Sequence, residues 1–327
     1  MDVTVLAEQE IRALVGPDEA LRAARTAFAK LARGEATLPA VLFLDLPESE
    51  GEVHVKGAYL HGSPFFAVKT ASGFYRNPER GLPVTAGAVW VFDASTGRPA
   101  SILFDNGFLT ELRTGAAGAV AAEALSRPDS RGVAVLGCGG QARHQLEALV
   151  NVRPIETASV FCRTREAGER LRHDLAHLGP AIETVTSAED AVRDADVVVT
   201  VTPTRSPIFR AAWLRAGMHV SAIGSDVPDK QELEVEVLVR ADKVVADRLS
   251  QCLEQGEIHH AVAAGALGPE DVHAELGEIV AGLKPGRERD DEITVADLTG
   301  VGVLDAAVAS LVAERAAEQK IGTALEV

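Results

Sequence analysis

The stretch that most limits the fold is VAVLGCGGQARHQLEAL, Val133 to Leu149, where an apolar run meets a glycine turn and a helical pattern starts at once. From Arg131 onward, strand-like and helix-like segments alternate. Strands are expected at Val133–Leu136, Ala158–Cys162, Val197–Thr202, His219–Ile223 and Lys243–Ala246. Helical patterns lie between most of them, including EAGERLRHDLAHL and SAEDAVRDA, the latter opened by a Ser-x-x-Asp capping signature. Strands joined through helices run parallel, because the crossover carries the chain back to the same edge. The expected class is therefore α/β, a Rossmann-type doubly wound parallel sheet.

Inside that frame the turn reads Gly-x-Gly-x-x-Ala. Gly137 permits the tight bend, Gly139 lets the backbone approach a pyrophosphate, and Ala142 lets helix and strand pack closely. Gly140 and Gln141 open the helix, whose free amides and dipole favour an anion. The next strand ends in VFCRTRE. An acidic residue there would bind the ribose hydroxyls of an unphosphorylated coenzyme; Arg163, Thr164 and Arg165 suit a 2′-phosphate instead. NADP(H) is the favoured coenzyme, with NAD(H) open. Thr202, Gly224 and Ser225, at the ends of later strands, and Gly300 are further coenzyme candidates.

Before residue 130 the character differs. A helical segment, DEALRAARTAFAKLARGEA, precedes β-like runs such as VHVKGAYL, PFFAVKTA and AGAVWVFDA, separated by turn signals. This reads as an α+β region with a mainly antiparallel sheet. LTELRTGAAGAVAAEALS, rich in small residues, is expected to form a close-packing helix that connects the two parts, and VGVLDAAVASLVAERAAEQ a last helix folding back on the first.

With 327 residues, 46% hydrophobic and 24% charged, the chain can bury a large core. Its net charge of −16 argues against a nucleic-acid partner, which needs clustered Lys and Arg. No apolar stretch is long enough to span a membrane and no secretory signal is expected at the N-terminus. Three cysteines without metal-type spacing read as reduced thiols in a cytoplasmic protein. His173 and His177 resemble a zinc helix superficially but lack a third ligand, so no metal is expected.

FAVKTASGFYRNPERGLP, LTELRTGAAGAVAAEAL, GCGGQARHQLEAL, GSDVPDKQEL and DLTGVGVLDAAVA occur in the order found in the ornithine cyclodeaminase/μ-crystallin family, and the chain resembles that family over roughly residues 30–315. Within it, VKGAYL, GFYRNPERGLP and GEIHHAVAAG look most similar to cyclodeaminase-like proteins of ectoine utilisation. The resemblance implies a homodimer with a substrate-binding and dimerisation domain, residues 1–115 plus 305–327, and a Rossmann domain, residues 116–304. It implies hydride exchange between a nicotinamide and the α-carbon of a small amino or imino acid. An imine or ketimine reductase, or an amino-acid dehydrogenase, is the first expectation. Cyclodeamination of a diamino acid, in ectoine degradation for instance, and non-catalytic nucleotide-dependent binding of the μ-crystallin kind are the alternatives.

By the same resemblance, Lys69 is a catalytic and substrate-binding lysine, Arg113 grips the substrate carboxylate, and Asp226 moves protons at the substrate nitrogen or an attacking water. Lys230 and Glu232 are placed to orient the Asp226 loop. Asp297 and Thr299 are candidates to touch the nicotinamide ribose, and His259 and His260 read as structural or as lying near the coenzyme. Two departures stand out. ATLPAVLFLDLPE lacks the arginine that cyclodeaminases carry there, leaving Lys56 as its replacement, and the family threonine falls on Val84, with Thr85 adjacent as a substrate-binding candidate. Both weigh against ornithine cyclodeamination.

Overall fold

The computed structural model describes residues 2–326 and divides into two compact units, Met1–Arg113 with Val301–Val327, and Thr114–Gly300. In chain order the first unit has β1 (Asp2–Ala7), α1 (Glu8–Leu14), α2 (Pro17–Ala32), β2 (Ala36–Thr37), β3 (Leu42–Leu46), β4 (Gly51–Leu60), β5 (Phe65–Phe74), β6 (Thr85–Asp93) and β7 (Pro99–Phe104). Helix α3 (Phe108–Leu125) carries the chain onward. The second unit continues with β8 (Gly132–Leu136), α4 (Gly140–Leu149), β9 (Thr157–Phe161), α5 (Arg165–Asp174), β10 (Ala181–Val185), α6 (Ala188–Val192), β11 (Val197–Thr200), β12 (His219–Ala222) and α7 (Val235–Val239). Then come β13 (Lys243–Ala246), α8 (Leu249–Cys252), α9 (Glu257–Ala263), β14 (Ala274–Glu275), α10 (Leu276–Val280) and β15 (Thr294–Asp297). The chain ends in the first unit with α11 (Gly302–Gln319) and β16 (Thr323–Glu326).

The first unit is one eight-stranded sheet in the order β16-β1-β7-β6-β5-β4-β2, with β3 also on β4. Every pairing is antiparallel except β1 with β7. Helix α2 starts cleanly because Pro17 occupies its first position and the Glu19 carboxylate accepts from the Gly16 N–H at 3.1 Å. It buries Ala20, Leu21, Ala24, Ala27, Phe28 and Leu31, the stripe a 3.6-residue period produces. Helix α11 packs on α2 and across β4 and β5. Its first residue sits so close that a Cβ on Gly302 would stand 2.7 Å from the Gly57 carbonyl oxygen. The last helix thus folds back on the first unit, as its amphipathic sequence suggests.

The second unit is an all-parallel, eight-stranded sheet ordered β10-β9-β8-β11-β12-β15-β13-β14. The chain steps outward from β8 to β9 and β10, then returns to the other side of β8 with β11, so strand order reverses between β8 and β11. Ligands of such sheets bind beyond the carboxyl ends at that reversal. Strands β8, β11, β12, β13 and β15 are buried throughout, which fits their richness in Val and Ala.

The sequence missed three strands of this sheet. β10 lies at the edge with no fully buried residue, so it lacks the buried-strand pattern, β14 is only two residues long, and β15 reads TVAD, two apolar residues between Thr294 and Asp297. The strand expected to reach Thr202 stops at Thr200. Helix α5 ends at Asp174, so His177 is outside it and the two histidines do not share a helix face. At α6, Ser187 caps as its spacing implied, its hydroxyl accepting from the Asp190 N–H.

The small residues of α3 have a direct cause. A Cβ on Gly115 would lie 2.5 Å from the His144 carbonyl oxygen of α4, and one on Gly118 would lie 2.0 Å from Gln145 Oε1. Alanine at Gly115 gains helix propensity of roughly 1 kcal/mol, yet it meets rigid backbone, and overpacking costs about 1–3 kcal/mol. We expect Gly115→Ala to lower the melting temperature in a thermal scan, and an unchanged or raised value would refute this close packing of α3 on α4.

Candidate active site

In the first unit, β4 and β5 place Lys56 directly opposite Lys69. Both are buried, and like charges facing each other across a sheet repel. Arg113, from the second turn of α3, joins them in the interior. The compensating group is Asp305 on α11. Its Oδ1 accepts from Lys69 Nζ at 2.8 Å and from Arg113 Nε at 3.0 Å, while Thr110 Oγ1 takes a further Lys69 bond at 3.0 Å. Burial works against the Asp305 charge, but Arg113 and Lys69 outweigh it and hold the carboxyl below its usual range. Burial also pushes Lys69 down, to about 8; Asp305 opposes the shift, while repulsion from Arg113 and Lys56 adds to it.

This cluster is suited to a carboxylate. Arg113 uses Nε for Asp305, which leaves the two terminal nitrogens of its fork for a ligand. Sequence reasoning missed Asp305. Its signal was a lone acid in the apolar run VGVLDAAVA, where an unpaired charge would be costly. Thr85 stands at the exposed start of β6, next to Gly107, and no hydrogen bond ties it to the cationic cluster among the described residues. Asp105 caps α3, accepting from the Leu109 N–H at 2.9 Å, and burial raises its carboxyl above the ordinary value.

In the second unit, Gly137 has φ +124°, and a Cβ there would meet the Val201 carbonyl oxygen at 2.9 Å. Only glycine fits this bend without strain. Gly139 is the N-cap of α4 and has open space where a side chain would be; Ala142 is buried against the sheet. Gly140 and Gln141 occupy the first turn, ahead of the first intrahelical bond, and Gln141 Oε1 is a buried polar atom without a partner. An open glycine cradle with free amides at a helix N-terminus fits a dinucleotide pyrophosphate.

Beside it, buried Glu232 ties the strand ends together. It accepts from Thr200 Oγ1 at 2.6 Å, the Thr202 N–H at 2.6 Å, Thr202 Oγ1 at 2.8 Å and the Gly224 N–H at 2.8 Å. Thr202 and Gly224, expected to meet the coenzyme, are therefore held by Glu232 through these groups. Burial raises the Glu232 carboxyl, and these four bonds oppose the rise. Ser225 donates its hydroxyl to the Lys230 carbonyl. Asp226 is half-exposed on the loop after β12, held by Lys230 Nζ at 2.7 Å, so Lys230 and Glu232 both shape this loop.

Thr164 caps α5 by accepting from the Ala167 N–H, Arg165 pairs with Glu169, and Arg163 is exposed. Arg165 and Thr164 line a cavity of about 460 Å³ with Cys162, Arg172, Thr186 and Asp190, among others. Gly300 has φ +86° and donates its N–H to Asp247 Oδ2 at 2.6 Å. Asp297 and Thr299, read from the sequence as ribose contacts, are instead buried: Asp297 accepts from the Ile258 N–H at the start of α9, and Thr299 donates to Asp247. His259 and His260 bond the carbonyls of Leu253 and Lys230.

The profile of the ornithine cyclodeaminase/mu-crystallin family matches residues 1–320. An uncharacterized cyclodeaminase of Sinorhizobium fredii is 45% identical over 325 residues, 98% of each chain. An archaeal alanine dehydrogenase dimer solved with bound NAD superposes with a TM-score of 0.94 at 38% identity, covering 100% of this chain and 99% of that one. The Delta(1)-pyrroline-2-carboxylate reductase of Thermococcus litoralis, solved with NADH and L-proline, also reaches 0.94, at 32% identity and 98% and 99% coverage.

The Lys69 shift has a measurable consequence. An anion favours the protonated amine, so affinity is greatest below a pH of about 8 and falls as Lys69 loses its proton above it. We expect calorimetric titration of pyruvate to weaken between the neutral and alkaline sides of that value. Lys69→Arg, which does not titrate there, should flatten the profile. An equally steep decline in the variant would remove Lys69 as its origin.

Proposed function

The chain belongs to the ornithine cyclodeaminase/mu-crystallin family, and on that premise we propose that it is a nicotinamide-dependent oxidoreductase acting on the C–N bond of a small α-amino or α-imino acid. The observation that carries this reading is the buried Lys56–Lys69–Arg113 group organised around Asp305. Such a cluster is costly to bury, and an incoming carboxylate offsets its repulsion. The nicotinamide, when bound, supplies or accepts the hydride at the α-carbon.

The chain's own residues do the rest. Gly137, Gly139, Gly140, Gln141 and Ala142 form the pyrophosphate cradle. Arg113 takes the substrate carboxylate through its free fork, and Lys69 adds an ammonium beside it, with Lys56 contributing to the field. Fixing the carboxylate fixes the α-carbon, and positioning of this kind supplies much of the acceleration. Asp226, steered by Lys230, holds or delivers the proton at the substrate nitrogen. Thr85 is kept as a weaker substrate contact and Ser225 and Gly300 as weaker coenzyme contacts, since the bonds of Ser225 and Gly300 run to Lys230 and Asp247.

Two features extend the reading. The exposed Arg163, with Arg165 and Thr164 at the β9 end, favours NADP(H) over NAD(H) through charge-assisted bonds to a 2′-phosphate. Leu42 (50% exposed), Phe43 (46%) and Leu44 (51%) on β3 present an apolar strand to solvent, which a second copy of the chain would cover in a homodimer. Three unpaired cysteines suit a cytoplasmic setting.

The test is coenzyme oxidation with NADPH and NADH across pyrroline-2-carboxylate, iminosuccinate, and pyruvate with ammonia or methylamine. Turnover on at least one is expected. Ammonia release from a diamino acid without net coenzyme consumption would replace the proposal with cyclodeamination, and tight coenzyme binding without any turnover would replace it with a binding role. Asp226→Asn should keep coenzyme binding and lose roughly 10²–10⁴-fold in kcat; full activity would take Asp226 out of the mechanism. Arg163→Ala should raise KM for NADPH about tenfold and leave NADH nearly unchanged; an equal effect on both coenzymes would remove the 2′-phosphate contact.

A further inference from the structure

Asp305 uses one of its oxygens and not the other. Oδ1 accepts from Lys69 Nζ at 2.8 Å and from Arg113 Nε at 3.0 Å, whereas Oδ2 of the same carboxyl is buried and meets no hydrogen-bond donor among the described residues. The residue is 3% exposed and stands in the first turn of α11, where the helix dipole favours an anion. Burial opposes its charge, but Arg113 and Lys69 outweigh burial, so the orphan oxygen belongs to a carboxylate. A buried anionic oxygen without a donor is costly, and folded interiors rarely keep one. Asp105 also has an unpartnered oxygen, Oδ1, but its other oxygen caps α3 through the Leu109 N–H. Asp305, by contrast, shares its carboxyl with both cations assigned above to the substrate carboxylate.

We propose that Asp305 Oδ2 is a substrate contact: it accepts a hydrogen bond from the protonated α-nitrogen and so selects amino and iminium acids over oxo acids. This inference rests on the functional reading above and assigns the nitrogen end of the same site. An α-amino acid carries its carboxylate and its nitrogen on one carbon. With the carboxylate on the free terminal nitrogens of Arg113 and on the Lys69 ammonium, the nitrogen falls beside the acid that both cations already grip. The ligand's negative end then meets the cations and its positive end meets Asp305.

An oxo acid puts an acceptor oxygen where the nitrogen would be. Two acceptors then face each other, Oδ2 stays unsatisfied, and no water reaches it to relieve the loss. A site built to bond an N–H rejects the analogue that lacks one far more strongly than it rejects a change of size. In an iminium acid the same contact holds the proton on nitrogen, the form whose α-carbon is the more electrophilic. Asp305 moves no proton in this scheme; that task stays with Asp226.

The experiment compares ligands that differ chiefly at this atom. Calorimetry on the full-length protein, with NADH or NADPH present, titrates L-alanine against pyruvate and L-proline against tetrahydrofuran-2-carboxylate, which has a ring oxygen in place of the ring nitrogen. At least one amine should bind about ten- to a hundredfold more tightly than its oxygen partner, the ratio a hydrogen bond between charged groups supplies. Asp305→Asn should lower the affinity for that amine by about the same factor, while the oxygen partner, relieved of the carboxylate, binds as well or better. Equal weakening of both members points to a structural role and overturns the proposal, as does equal binding of each pair by the unaltered protein. Should Asp305→Asn not fold, a crystal structure of the unaltered protein with coenzyme and the amine decides. Nitrogen within about 3.2 Å of Oδ2 is the expected result, and a nitrogen turned away from Oδ2 overturns it. Coenzyme oxidation on the imine panel separates the two readings. Turnover without a nitrogen preference in either pair sinks the Asp305 contact alone, whereas no turnover and no binding of any of the four ligands sinks the functional reading and this contact with it.

Discussion

Asp305 organises the charged interior of the first unit, because it lets Lys69 and Arg113 be buried side by side through a single carboxylate oxygen. Removing one partner from a buried ion cluster typically costs about 3–5 kcal/mol, since the remaining charges lose their compensation. The cost here is sharpened by Lys56 facing Lys69 across β4 and β5. The pairing also explains why the chain returns at its end. Asp305 lies 236 residues beyond Lys69, so only a final helix laid across β4 and β5 can deliver it, and Gly302 gives that helix the close approach it needs.

The parallel sheet has its own counterpart in Glu232. One buried carboxylate accepts four hydrogen bonds from the ends of β11 and β12, holding two loops in register next to the glycine turn. Behind it, Glu257 accepts from the Glu232 and Leu233 N–H groups at 2.7 and 3.1 Å. Burial pushes Glu257 well above its usual value and raises Asp297 to about 8. These buried acids take backbone amides, and for Glu232 threonine hydroxyls as well, which fixes the loops, while Asp226 beyond β12 is half-exposed and paired with Lys230.

The arrangement also accounts for the breadth of chemistry among the relatives, which include an alanine dehydrogenase and a pyrroline-carboxylate reductase. On the reading proposed above, cations that take a carboxylate and a cradle for a dinucleotide would serve any α-carbon bearing nitrogen. A fold shared by relatives with such different names does not by itself specify the amino acid.

The parallel sheet was legible because its signal is local: apolar runs of four or five residues, a glycine turn, and helices between. Lys69, Arg113 and Asp226 became candidates through motifs that resemble a family, and Lys69 and Arg113 do meet in one buried cluster. What stayed hidden depends on contacts distant in sequence. The pairing of Asp305 with Lys69, the demand of Glu232 on Thr202 and Gly224, and the burial of Asp297 and Thr299 have no local pattern, because each joins strand ends or helices brought together only by packing. The edge strand β10 escaped for a related reason, since none of its residues is fully buried and AIETV carries only a weak apolar signal. By itself the sequence determined the two kinds of sheet, the glycine cradle and the presence of buried-strand cations, all written in hydrophobic period and residue type. Tertiary structure alone decided which charges neutralise one another and which remain for a ligand, because electrostatic energy depends on distance in space and on exclusion of water, and neither is encoded in spacing along the chain.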